Sequence, residues 1–93
     1  MTTYQFTKGF NIKYKTNIPT SDIAKADLFI KTPKGNVLQR ELALINDTDL
    51  LYSTNEDDLK HTGIYKLQVK IIQKDESVFY TSETDLVVKK TLE

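Results

Sequence analysis

The stretch DDLKHTGIYKLQVKI, residues 57–71, carries three signals in order: two adjacent acids, a lone glycine at Gly63, and strict apolar–polar alternation from Tyr65 onward. Tyr65, Leu67, Val69 and Ile71 fall on one side of an extended chain, with Lys66, Gln68 and Lys70 on the other. That is the period-2 pattern of a half-buried strand. Just upstream, Glu56-Asp57-Asp58-Leu59-Lys60 suits one short helical turn, with Thr54 or Asn55 as its cap and acids where the helix dipole favours them. Gly63 then ends the turn, because glycine accepts the left-handed conformation found past helix C-termini.

The same alternation recurs toward the N-terminus. Phe10, Ile12 and Tyr14 share one face of a second strand, opposite Asn11, Lys13 and Lys15. Ala26, Leu28 and Ile30 point inward from a third. Tyr4 to Thr7 suits a short first strand, and Asn17 to Asp22 a loop around Pro19. Thr32-Pro33-Lys34-Gly35 is a turn with a mechanism: Pro33 fixes φ at the second position and Gly35 accepts φ > 0. A hairpin is expected there. From Val37 to Ile45 the period is ambiguous, because Leu38, Leu42 and Ile45 would also fit a helix. Asn46 to Asp49 breaks the chain before a short strand over Leu50 to Thr54. Downstream, Lys74-Asp75-Glu76-Ser77 is a polar turn, and Val78 to Lys89 is expected as one long strand pairing back.

About seven strands with regularly spaced turns and no long helix predict an all-β, immunoglobulin-like antiparallel sandwich, with one helical turn before the penultimate strand. In such sandwiches a tyrosine near the start of strand F bonds back to upstream main chain, forming a tyrosine corner. Asp58 to Tyr65 has that spacing, which makes Gly63 and Tyr65 the corner residues. The chain has no cysteine or tryptophan, so the disulfide and core tryptophan of antibody domains are missing.

A chain of 93 residues suits one domain, placed over residues 1–91, with Leu92-Glu93 resembling a cloning scar. The Met1 start suggests a stand-alone gene product, and the polar N-terminus lacks a secretion signal. No apolar run approaches the ~18 residues of a membrane span. Basic and acidic residues number 13 each, a balance that argues against nucleic acid as a partner. The distribution is uneven: residues 1–45 carry a net +4 and residues 46–93 a net −4. Two readings stand, an ordinary solvated surface and complementary faces in an assembly.

Sites for chemistry are sparse. His61 is the lone histidine, and transition-metal sites recruit several nitrogen or sulfur ligands. Asp47, Asp49, Glu56, Asp57 and Asp58 are loop carboxylates that could hold calcium, yet no EF-hand spacing exists and Asp57 and Asp58 are explained by capping. No specific calcium site is therefore expected. One loop histidine and no G-x-S-x-G elbow argue against a hydrolase triad, and three glycines leave no phosphate-cradling loop. The expectation is no catalysis, no cofactor, no metal, no small-molecule substrate and no membrane partner. Phe29 and Phe79 are aromatic residues on the polar faces of their strands, available for a sugar or protein contact or simply for packing.

Four segments together resemble small bacteriophage and prophage structural domains, including the N-terminal module of BppU-type upper baseplate proteins. They are Ser21-Asp22-Ile23, Ala26 to Gly35, Leu50 to Thr54, and Asp58-Leu59 through Gly63 to Val69. Most of these positions are turn or core residues. The resemblance implies a non-catalytic tail or baseplate component that contacts other virion proteins or itself, located in the virion or, from a prophage, in the bacterial cytoplasm. The alternative is a bacterial immunoglobulin-like binding module whose end loops hold a protein or carbohydrate. An interaction edge is expected along the last strand, at Val78, Tyr80 and Val87, where charges come late and do not blunt the edge.

Overall fold

The computed structural model describes residues 1–92, so Glu93 of the expected scar lies outside the described residues. Nine strands follow one another: β1 (Thr2–Tyr4), β2 (Asn11–Lys15), β3 (Ile23–Lys31), β4 (Val37–Glu41), β5 (Ala43–Leu44), β6 (Asp49–Ser53), β7 (Gly63–Gln73), β8 (Val78–Tyr80) and β9 (Thr84–Lys89). Six form one sheet in the order β1-β9-β7-β3-β4, with β8 also on β7, and three form a second sheet in the order β2-β6-β5. The two pack as a β-sandwich. Its strand order has the immunoglobulin-like form, with β2-β6-β5 as B-E-D and β9-β7-β3-β4 as G-F-C with an added C′. All pairs are antiparallel except β1, which runs parallel to β9.

The quoted stretch supplies the spine. β7 lies at the centre of the larger sheet, paired with β3 on one side and with β9 and β8 on the other. Its inward residues Tyr65, Leu67, Val69 and Ile71 are all buried, as are Leu28 and Ile30 beside them and Ile12 and Leu50 on the facing sheet. Each such side chain contributes about 1.5–3 kcal/mol on removal from water.

Five local expectations change. The expected strand over residues 4–7 keeps Tyr4 alone: the chain pairs earlier, over Thr2–Tyr4, and then turns, with Phe6 at φ 62°. Glu56 to Leu59 forms a hydrogen-bonded turn rather than a helical one, because Asp58 N–H donates to the Asn55 carbonyl while its side chain is pulled into the core. The one helical turn among the described residues is a 3₁₀ turn at Thr20–Asp22. Val37 to Ile45 is extended, and it divides because the chain changes sheets at Leu42, whose N–H still reaches the Ala26 carbonyl (2.9 Å) before Ala43 joins β6. The helical spacing was misleading because Arg40 occupies an inward position opposite Leu28.

The long final strand is also divided. Ile72 pairs with Val78 and Lys70 with Tyr80, but Leu67 pairs with Thr84, so one extra residue sits between β8 and β9. That is a β-bulge. Thr81 secures it: its N–H donates to the Val69 carbonyl (2.9 Å), and its Oγ1 accepts from the Val69 N–H (3.0 Å). Gln68 Nε2 donates to the Thr81 carbonyl (3.0 Å) from the neighbouring position.

Candidate functional site

The most polar buried group lies where the β3–β4 turn meets the start of β7. Tyr65 is fully buried, and its hydroxyl donates to the His61 carbonyl (2.9 Å) and accepts from the His61 N–H (3.0 Å). Gly63 has φ +129°, and a Cβ there would stand 2.9 Å from Pro33 Cγ. Pro33 and Gly63, read from the sequence as parts of a turn and a corner, are thus packed on each other. Gly35, at φ +91°, closes the turn by donating its N–H to the Thr32 carbonyl (2.9 Å).

Beside the corner, Asp58 has a fully buried carboxylate. Its Oδ1 accepts from Arg40 Nε (3.1 Å) and Nη2 (3.0 Å). Its Oδ2 accepts from the Tyr52 hydroxyl (2.5 Å) and the Asn55 N–H (3.0 Å). Arg40 comes from one sheet and Tyr52 from the other, so one carboxylate ties both layers. Burial works against the Arg40 charge, but the hydrogen bonds and charge of Asp58 outweigh it and hold the guanidinium above its ordinary range. Burial raises Tyr52, reinforced by the Asp58 carboxylate, and burial likewise raises Tyr65. With four donors on Asp58, the cluster has no oxygen left over for proton transfer or a ligand. Its chemistry is that of a brace.

The remaining loop carboxylates disperse. Asp49 accepts from Asn46 Nδ2 (2.7 Å) and pairs with Lys13 (3.4 Å), the former chiefly holding its carboxyl below the usual range. Among the described residues, no three His, Cys, Asp or Glu side chains converge as metal ligands would. The +4 and −4 halves do not form separate faces either. β2 pairs with β6 and β3 with β7, and Lys13–Asp49 and Arg40–Asp58 join cations of the first half to anions of the second.

The expected interaction edge is partly relocated. Val87 is not on an edge: it pairs with Ile64 of β7 on one side and Thr2 of β1 on the other. The N-terminal strand, placed at residues 4–7 from sequence, is what covers it. Val78 and Tyr80 are on an edge. Ser77 and Thr81 direct their main-chain groups at β7, through Gln73 N–H to Ser77 carbonyl (2.8 Å) and Thr81 N–H to Val69 carbonyl (2.9 Å). Alternation along an antiparallel pair then turns Phe79 inward and leaves the N–H and C=O of Val78 and Tyr80 pointing outward. All three side chains are exposed, and Lys70 Nζ sits 5.9 Å from the Tyr80 ring centroid. Phe29 is half-buried on the outer face of β3, flanked by Gln39 and Gln68.

A second bare edge escaped the sequence reading. β2 has β6 as its one neighbour. Thr54 N–H to Phe10 carbonyl (3.0 Å) and Thr16 N–H to Thr48 carbonyl (2.7 Å) fix the even-numbered residues toward β6. The main-chain groups of Asn11, Lys13 and Lys15 therefore point away from the sheet. Between this edge and the bulge of the other sheet opens a cleft of about 310 Å³, with Ile12, Leu28, Leu67 and Val69 deep in it and Lys13, Thr81 and Ser82 also lining it. Alternation in NIKYK identified a strand but carried no signal of whether that strand has one neighbour or two.

No family model matches the chain, and no curated protein matches it in sequence.

Proposed function

We propose that the domain is a non-catalytic assembly module that works through protein–protein contacts, as a component of a phage or prophage tail or baseplate. The observation that carries this reading is the open β8 edge. Unpaired main-chain groups at Val78 and Tyr80, framed by exposed apolar and aromatic side chains, invite a strand from another protein. The saturated Asp58 cluster supports a role without chemistry, since its polar atoms are consumed in holding the two sheets together. The tail or baseplate assignment rests on the resemblance of residues 21–35, 50–54 and 58–69 to phage structural domains. No helix among the described residues is long and apolar enough to cross a membrane. The assignment implies a place in the virion, or in the bacterial cytoplasm when the chain is expressed from a prophage.

The test is physical recovery. Prophage induction of the strain that encodes the chain, density-gradient isolation of particles and mass spectrometry should find the chain in the tail-bearing fraction. Its absence from particles that retain their other tail proteins would overturn the assignment.

A further inference from the structure

The open side of the sandwich carries two bare edges of opposite character. β8 is apolar and aromatic, and Asp75, Glu76 and Glu83 flank it, against Lys74 before it and Lys70 beside Tyr80; Asp85 is taken up by Lys66 (2.7 Å). Asp75 accepts from the Ser77 N–H (2.9 Å), which holds its carboxyl below the usual range and keeps a negative charge at the entrance to β8. The β2 edge is basic: it carries Lys8, Lys13 and Lys15, three cations against Asp49 of the neighbouring β6, which pairs with Lys13 (3.4 Å) and lies opposite Lys15. The 310 Å³ cleft borders this edge, and Phe79 on β8 is 49% exposed.

We propose that these two edges are the halves of one self-complementary interface: β8 of one copy pairs with the β2 edge of a second copy and seats Phe79 in its cleft. The inference rests on the assembly reading above and names its partner as the same chain. Both edges lie on the same side, since β2 and the β8–β9 bulge line one cleft. A two-fold rotation therefore brings β8 to β2 twice, so the pair closes. The like-to-like alternatives are disfavoured. An antiparallel β8–β8 pair centred on Phe79 would bring Glu76 of each copy near Glu83 of the other, and a β2–β2 pair centred on Lys13 would set Lys13 against its own copy. The outward main-chain groups suit one another: Val78 and Tyr80 on one edge, Asn11, Lys13 and Lys15 on the other. Both junctions are short, so association is weak and sensitive to salt.

Sedimentation equilibrium of the full chain at low salt tests this with two charge-reversed variants. Lys13→Glu with Lys15→Glu makes both edges acidic, and Glu76→Lys with Glu83→Lys makes both basic. The wild type should form dimers that dissociate as salt is added. Each variant alone should be monomeric, and a one-to-one mixture should recover the dimer, which also shows that both variants are folded. Phe79→Ala should weaken the wild-type dimer about tenfold or more. Wild-type association that survives both charge reversals would overturn the β2–β8 junction and leave assembly itself standing. A mixture that stays monomeric while both variants give β-sheet circular dichroism would overturn it too, as would a wild type monomeric at millimolar concentration. Failure of assembly as a function is read separately, from the absence of the chain in tail particles.

Discussion

The corner beneath β7 and the open side beside β8 solve the same problem in opposite ways. At the corner, buried polar groups are matched: Asp58 has four donors, and the Tyr65 hydroxyl both donates and accepts. At the open side, two strands leave main-chain groups unpaired, and a side-chain hydroxyl at Thr81 stands in for a missing carbonyl. An unmatched polar group is costly when buried and nearly free when water reaches it. The difference therefore marks which part of the molecule is committed to its own stability and which part remains available to a partner.

The corner should be easy to break. Asp58→Ala is expected to cost about 3 kcal/mol, near the low end for breaking a buried ion pair because the Arg40 side chain is 32% exposed. Urea unfolding measures it, and a loss within 0.5 kcal/mol of wild type would show that the brace does not hold the sheets. Gly63→Ala follows at about 2 kcal/mol, from positive φ together with the clash against Pro33. A double-mutant cycle with Pro33→Ala separates the two causes: relief of part of the loss assigns that part to the ring, and strict additivity assigns all of it to the backbone.

Tyr65→Phe should cost about 1–2 kcal/mol, because the His61 N–H and carbonyl both lose their partner. A related pH effect follows from the raised values of Tyr52 and Tyr65. Protonation is favoured in the folded state, so their contribution is fully present below about pH 10, the ordinary tyrosine value, and is lost as pH rises beyond it. Thermal melts between pH 8 and 11.5 should show that decline, and Tyr52→Phe should flatten it. The open side should respond least. Tyr80→Lys puts a charge on the bare edge and should leave stability within about 0.5 kcal/mol of wild type. A loss above 1 kcal/mol would mean that β8 is part of the core after all.

The sandwich and the corner were legible because they rest on local signals: alternation at Tyr65–Ile71, and glycine and tyrosine at fixed spacing. Arg40 and Asp58 were not. A charge in mid-strand looks like an interruption of the apolar face, and only the fold reveals that Asp58, in a turn 18 residues on, neutralises it. Asp58 itself was accounted for as a cap, and it does accept the Asn55 N–H, so the local role concealed the long-range one. The bulge was hidden for a different reason. Alternation from Val78 to Lys89 survives a one-residue insertion with a change of phase, and phase is visible only against β7. Edge status was not readable for β2 or for Val87, because it depends on which strands dock alongside, and β1 docks on β9 from the far end of the chain.

Residue-resolved hydrogen exchange on a dilute, monomeric sample tests the contrast most directly. The amides of Val78, Tyr80, Asn11, Lys13 and Lys15 should exchange near the rates of an unstructured chain, while those of Leu67 and Val69 in the core strand should be protected toward the global unfolding limit. Strong protection at Val78 and Tyr80, or at Asn11, Lys13 and Lys15, in the monomer would contradict the open side and remove the surface on which assembly depends.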